Sequence, residues 1–401
     1  MRSTVLEKIS AQDCTGCECC VNVCPQNALE MREDSEGFCH PFVIEKRCIE
    51  CGLCVKKCPL LIHKALVERA KMPDRAFAGY ACDETLVEQS SSGGFFGLIA
   101  KQILTEGGIV IGAAWARDFC SVEHIACDRV ESLGAIQRSK YVQSTKNGIY
   151  GVAVESLKQG QKVLFSGCPC EVAAMASICP PKLREKLYLL DLVCMGPTSG
   201  KAMRDFIGTI QRRSHARVQE LNMRYGIGKW VPYCLYIALN NGVKLLDYFY
   251  ETPIGDAAAI MQRPSCYSCR FIGDNRASDL TLGDCHGADE NASYYHKSGT
   301  SIALPNTRKG EEMLGMLKQS GAYLEAVETK WLLQHNPRIA NAWSPCPERS
   351  RFSSVFVSQG LFAASKSITP FKHRLRRKIP IRQRERIFKI IHFLKSLAQH
   401  R

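Results

Sequence analysis

Along the middle of the chain, apolar positions switch repeatedly between short unbroken runs and helical spacing. "GGIVIGAAW" (107–115), "QKVLFSG" (161–167) and "LYLLDLVC" (187–194) read as buried strands. Between and after them, "SSSGGFFGLIAKQIL" (90–104), "GIYGVAVESLKQG" (148–160), "CEVAAMASI" (170–178) and "SGKAMRDFIGTIQRR" (199–213) carry apolar residues at helical intervals. Such alternation predicts an α/β layer structure. "YCLYIALNNGVKLLDYFY" (233–250) predicts two strands around an Asn-Asn-Gly turn, which makes the sheet mixed. "SDLTLGD" and "TSIALPN" add two short strands, and "ERAKMPDRAFAGYACDE" (68–84) reads as a polar connector.

Before that connector the pattern is set by cysteine. "CTGCECCVNVCP" begins at Cys14, and "CIECGLCVKKCP" repeats it at a constant offset, pairing Cys14 with Cys48, Cys17 with Cys51, Cys20 with Cys54 and Cys24 with Cys58. Each run is Cys-x2-Cys-x2-Cys-x3-Cys-Pro, the spacing of bacterial two-cluster ferredoxins. Three closely spaced thiolates wrap one cubane while the fourth reaches the other. Cys14, Cys17, Cys20 and Cys58 are therefore assigned to one [4Fe-4S] cluster, and Cys48, Cys51, Cys54 and Cys24 to a second. Paired zinc sites are the competing reading of four-cysteine sets, and the two prolines disfavour it. Cys19 falls outside the pattern as a spare loop thiol.

The chain has 401 residues with 45% apolar and 23% charged content, ordinary for a globular protein, but its 22 cysteines are not ordinary. It opens on "MRSTVLEKIS", without a signal-peptide core, and has no apolar run long enough to span a bilayer. A reducing, cytoplasmic and anaerobic setting is expected, where clustered cysteines mean metal. The formal net charge of +14 is concentrated in the tail: Ser365 to Arg401 holds twelve Lys/Arg against Glu385 alone. There, Pro380 precedes a helical pattern of Ile387, Ile390, Ile391, Leu394 and Leu397. Two readings stand for it: docking on an anionic membrane surface or acidic redox partner, or packing on the body with a solvated charged face. Nucleic-acid binding is disfavoured by the sparse aromatics.

Further cysteines fall where strands end. Cys168 and Cys170 follow "KVLFSG", Cys194 ends "LYLLDLVC", and Cys266 and Cys269 form a Cys-x-x-Cys pair in "RPSCYSCRF". In a parallel sheet these ends share one edge, where open α/β sheets bind ligands. A third metal site and buried thiols acting as small hydrophobes both remain open on spacing alone. Ser90 to Gly94 precede a helix, which suits an anion or a plain serine cap. The usual dinucleotide and P-loop glycine fingerprints are missing from the sequence.

Taken in order, "SSSGGFFGLIAKQILTEGGIVIGAAW", "RSKYVQS", "VLFSGCPCEVA", "DLVCMGP" and "RPSCYSCRF…RASDLTLGD" resemble the coenzyme F420 hydrogenase/dehydrogenase beta-subunit family from about Phe77 to Thr307. The resemblance implies FAD and an additional [4Fe-4S] cluster. It makes Cys170, Cys194, Cys266 and Cys269 the candidate ligands, and Ser91, Ser92, Gly93, Gly94, Lys140 and Tyr141 the candidate flavin contacts. Cys168 and Glu171 stand where the family usually has Thr and Gln. Cys285 and His286 stand where it has an aromatic pair, which offers Cys168 and Cys285 as alternative ligands and His286 as a proton donor or a plain surface histidine.

The expected organisation is an α+β ferredoxin-like domain over 1–65, a flavin-binding region over 77–155, its C-terminal part with the third cluster over 160–330, and a basic helical tail over 345–401. The α/β part carries a mixed sheet. The function expected is an iron–sulfur flavoprotein oxidoreductase. It would pass electrons between a ferredoxin or other redox partner protein and a two-electron small-molecule acceptor such as coenzyme F420. The alternative is a non-catalytic electron-transfer subunit feeding a partner enzyme.

Overall fold

The computed structural model describes residues 4–67, 71–227 and 230–370, together with His373, Arg377 and Gln383. The apolar stripe predicted for the tail, from Ile387 to Leu397, lies outside the described residues. Fourteen strands are described. In the N-terminal part they are β1 (Leu29–Glu33) and β2 (Cys39–Val43), followed by β3 (Arg75–Ala81), β4 (Ile109–Trp115), β5 (Val122–Cys127) and β6 (Ser144–Thr145). Then come β7 (Val163–Gly167), β8 (Leu187–Leu192), β9 (Val218–Tyr225), β10 (Cys234–Leu239) and β11 (Lys244–Tyr248), and finally β12 (Leu280–Asp284), β13 (Ser301–Pro305) and β14 (Ala322–Glu328).

Nine of these form one mixed sheet in the order β14-β3-β13-β12-β8-β7-β4-β5-β6. Its centre, β12-β8-β7-β4, is parallel, and its flanks are mainly antiparallel. The central strands read as unbroken apolar runs because both faces are covered. Val110, Leu164 and Leu190 point to one side and pack with helices Phe95–Thr105 and Arg308–Gln319. Their chain neighbours Ile111, Phe165 and Leu189 point to the other and pack with helices Ile149–Lys158 and Pro169–Ile178. Each such fully buried side chain contributes about 1.5–3 kcal/mol of transfer free energy.

Two expectations are corrected. The segment read as a polar connector contains β3, a sheet strand paired to both β13 and β14. Its "RAFAGYA" is dominated by small residues and so carries little hydrophobic signal. The Asn-Asn-Gly hairpin does form, as β10 and β11, but it joins β9 in a separate three-stranded sheet. The large sheet owes its mixed character to β5, β6, β13 and β14, which run against its central strands. Local alternation specifies a hairpin; it does not specify which sheet the hairpin joins.

The small second sheet closes a third core with helix Gly200–Ser214, helices Arg349–Gln359 and Leu361–Ile368, and Phe38 from the N-terminal part. The N-terminal part itself is the β1–β2 hairpin with short helices Cys19–Asn22 and Leu53–Lys56. Among the described residues no helix is long and apolar enough to cross a membrane.

Candidate metal centres and the junction between them

The repeated cysteine runs fold as repeated loops. Gly16 and Glu18 in the first run, and Glu50 and Gly52 in the second, all take positive φ, at 65°, 61°, 55° and 69°. Gly16 must also be small, since a Cβ there would lie 2.3 Å from Gln143 Nε2 and 2.8 Å from Arg263 Cζ. Cys24, Cys48, Cys51 and Cys54 line one cavity, so the structure brings together the crossed set that the spacing predicts. Cys14, Cys17, Cys20 and Cys58 gather on the inner side. Burial pushes the Cys17 thiol up to about 12, with the charges of Cys14 and Cys58 adding to it. Burial likewise raises Cys20, reinforced by Cys17, Cys14 and Cys58. Thiols held this way ionise readily only against a bound cation, and iron supplies one. Backbone amides already point at sulfur: Ala28 N–H donates to Cys24 Sγ at 3.2 Å and Gly16 N–H to Cys14 Sγ at 3.5 Å. Cys19 is buried outside either set, its Sγ donating to the Lys57 carbonyl at 3.0 Å.

A second cavity opens at the C-terminal edge of β7 and β8. Cys168, Cys170, Cys194, Cys266 and Cys269 line it, together with Thr15 from the first cysteine loop. The parallel pairing of β7 with β8 sets the ends of the two strands side by side, so Cys168 Sγ and Cys194 Sγ stand 3.6 Å apart. The hydrogen bond between the two thiols raises Cys168 and lowers Cys194, whose sulfur also accepts the Gly196 N–H at 3.3 Å. Among the described residues no group of three or more His, Cys, Asp or Glu is placed to hold a single metal ion. Ligands of a cubane sit at its corners, separated by the cluster itself, so the donor chemistry and the cavities suit clusters. Cys285 is placed elsewhere, fully buried among Ala76, Ala78, Ile302 and Leu332. His286 stacks against Trp230, with ring centroids 6.3 Å apart.

Between the inner N-terminal set and this cavity lies a buried ionic chain. Lys146 Nζ meets Glu171 Oε1 at 2.6 Å and the Ser144 carbonyl at 2.7 Å, while its backbone N–H donates to Glu18 Oε2 at 3.0 Å. Ser144 Oγ bonds both Glu171 Oε1 (3.1 Å) and His124 Nδ1 (2.9 Å). Burial alone would raise the Glu171 carboxyl; Lys146 and His124 instead hold it down at about 2. Tyr150 Oη donates to the Cys17 carbonyl at 2.9 Å, and Arg263 donates to the Cys14 carbonyl at 2.7 Å. Sequence reasoning missed Glu18, Lys146, Tyr150 and Arg263 as site residues. Arg263 alone left a signal, being a charge placed directly before "PSCYSC".

Burial lowers His124 from 6.5 to about 4, so it is neutral in the folded chain. The unfolded chain takes up that proton as pH falls below about 6.5, so the stability this residue contributes is present above 6.5 and is lost down to about 4. Wild type is expected to lose up to about 3 kcal/mol across that window from this group. Thermal melts at pH 7 and pH 4.5 should show a smaller loss for His124→Gln.

The serine–glycine loop is held by protein partners. Ser91 Oγ accepts the Ser139 N–H at 2.8 Å, and Ser92 Oγ donates to the Thr300 carbonyl at 2.8 Å. Gly94 caps helix Phe95–Thr105 in the left-handed conformation. Lys140 Nζ donates to the carbonyls of Gln137 (2.6 Å) and Arg138 (3.2 Å), and burial lowers it to about 7. Gly93 is pressed on the sheet: a Cβ would lie 2.5 Å from the Gly79 carbonyl oxygen and 2.8 Å from Ser301 N. Gly93→Ala is therefore expected to cost about 1–3 kcal/mol, read as a lowered thermal midpoint. Nearby, Trp230 Nε1 donates to the Ser91 carbonyl at 3.3 Å. Arg224 pairs with Asp284 at 2.8 Å and lies over the Tyr233 ring, leaving its Nε and Nη2 buried without hydrogen-bond partners among the described residues. Tyr141 packs on Phe249.

Residues 160–330 match the family of the coenzyme F420 hydrogenase/dehydrogenase beta subunit, C terminus, and residues 13–62 match the 4Fe-4S dicluster domain. No curated protein matches the chain. Among solved structures, a chain of the xenon-derivatised F420-reducing [NiFe] hydrogenase complex from Methanosarcina barkeri is similar at 15% identity. The match covers 75% of this chain and 92% of that one, with a TM-score of 0.44. Residues 160–330 therefore carry the C-terminal region of the coenzyme F420 hydrogenase/dehydrogenase beta-subunit family, behind a 4Fe-4S dicluster domain at residues 13–62.

Proposed function

We propose that this chain is an iron–sulfur flavoprotein oxidoreductase that passes electrons between ferredoxin-type [4Fe-4S] clusters and a two-electron acceptor such as coenzyme F420, through FAD. The observation that carries this reading is the convergence of Cys170, Cys194, Cys266 and Cys269 on a cavity that also takes in Thr15 of the first cysteine loop. A third cluster there would adjoin the one held by Cys14, Cys17, Cys20 and Cys58. When bound, cubanes carry one electron each and a flavin exchanges two, so the pair joins one-electron to two-electron chemistry.

The chain's own contribution is to bind, orient and keep water out. Cys24, Cys48, Cys51 and Cys54 would hold the outer cluster, with Cys51 exposed toward a redox partner protein. Ser91, Ser92, Gly93, Gly94, Lys140 and Tyr141, joined by Arg224 and Trp230, would hold the flavin. The unpartnered Arg224 N–H groups support this, since buried donors of this kind require an acceptor. Trp230 and Tyr233 offer aromatic faces in place of the pair missing after Asp284.

The test is anaerobic reconstitution with iron, sulfide and flavin quantification. About twelve iron and one flavin per chain are expected; about eight iron would confine metal to the dicluster domain. Reduction of a deazaflavin, nicotinamide or quinone by a low-potential donor then separates the oxidoreductase from the alternative, an electron-transfer subunit feeding a partner enzyme.

A further inference from the structure

Arg263 is 1% exposed, and among the described residues its hydrogen-bonding partners include no carboxylate. Its Nε donates to the Cys14 carbonyl at 2.7 Å, Nη1 to Gln143 Oε1 at 2.8 Å, and Nη2 to the Cys39 carbonyl at 2.6 Å, with His40 Nδ1 at 3.2 Å. Asp34 is reached only at second remove, through the other nitrogen of His40 at 3.1 Å. Three other buried cations are directly paired with carboxylates. Lys146 has Glu171 at 2.6 Å, Arg276 has Asp191 at 2.8 Å, and Arg224 has Asp284 at 2.8 Å. A guanidinium stays protonated when buried, so it cannot shed its charge to relieve the cost. It therefore requires a counter-charge, and carbonyl dipoles supply that only in part.

Its position shows where that counter-charge belongs. Arg263 holds the carbonyl of Cys14 in the inner N-terminal set, and it also lines the cavity of Cys170, Cys194, Cys266 and Cys269. It does not line the cavity of Cys24, Cys48, Cys51 and Cys54. The Phe38 ring, 5.6 Å from its Cζ, packs on it and helps keep water away.

We propose that Arg263 is a positioning residue whose fixed charge sets the reduction potentials of the two cubane sites on either side of it. The inference rests on the reading that clusters occupy those two sites. A cubane bound by four thiolates is an anion, and each electron added makes it more negative. A cation fixed beside it favours the reduced form and raises the potential, net charge being one of the recognised determinants. The step involved is one electron entering one cluster, with no bond made and no proton moved. By flanking both sites the same charge raises both potentials together.

The test is an anaerobic potentiometric titration followed by EPR on the reconstituted full chain, comparing wild type, Arg263→Met and Arg263→Lys. In Arg263→Met, two cluster midpoints should fall by at least a tenfold change in the one-electron equilibrium, about 59 mV each, while the third moves less. Arg263→Lys keeps the charge and loses the fork, so its midpoints should stay near those of wild type. An iron-replete Arg263→Met with unmoved midpoints overturns the proposal, and so does an Arg263→Lys that falls as far as Met. If Arg263→Met does not retain iron, Arg263→Lys decides: midpoints near wild type support the proposal, and lowered ones overturn it. A wild-type chain that takes up no iron overturns the cluster reading itself, and this inference with it.

Discussion

Lys146→Met is expected to destabilise the iron-loaded chain by about 3–5 kcal/mol, the usual loss when one partner of a buried ion pair is removed. Lys146 and Glu171 meet at 2.6 Å with side-chain exposures of 0% and 9%, so solvent cannot take over for the missing partner. Glu171 would keep the Cys168 N–H and the Ser144 hydroxyl but lose its cation. Its carboxyl would then titrate upward from about 2, and the stability held by its ionised form would be lost at neutral pH. Adding Glu171→Gln to Lys146→Met removes the stranded charge while keeping the volume, so the double variant should recover part of the loss. Thermal midpoints of the two singles and the double complete the cycle. Strict additivity would show that the two side chains do not act as a pair.

Cys266→Ser is expected to remove one whole cluster, taking the chain from about twelve iron to about eight, because the hard hydroxyl is a poor replacement for a thiolate on iron. The two N-terminal clusters should survive and keep their EPR signals. Cys168→Thr restores the residue usual in the family and should leave all of the iron in place, although Cys168 Sγ lies 3.6 Å from Cys194 Sγ. Cys285→Ser should also retain it, since Cys285 is packed among apolar side chains away from the cavity. Iron retained in full by Cys266→Ser, or lost in Cys168→Thr, would reassign the ligands.

The reasons some of this was readable in the chain, and some was not, are physical. β4, β7 and β8 were legible because a strand covered on both faces must be apolar throughout. β14, "AYLEAVE", sits at the sheet edge and alternates with charge, and β5, "VEHIAC", carries His124 inward on an alternating background. Neither pattern stands out from a loop. The cysteine sets were legible because consecutive ligands on a short loop impose fixed spacing on the sequence. The junction was not: Glu18, Lys146 with Tyr150, Glu171 and Arg263 come from four separate segments, and only the fold brings them together. Glu171, which stands where the resemblance leads one to expect Gln, meets Lys146 at 2.6 Å.

The density of that junction bears on modularity. Carbonyls of Cys14 and Cys17 accept from Arg263 and Tyr150, Glu18 accepts from Lys146, and Lys57 exchanges hydrogen bonds with Ser177 at 2.7 Å in both directions. An excised N-terminal fragment would carry away acceptors whose donors remain on the body, and the body would keep buried cations newly opened to solvent. The two parts are therefore expected to melt as one cooperative unit, and a ferredoxin-sized piece cut from this chain would inherit the ligands without the surface that shields them.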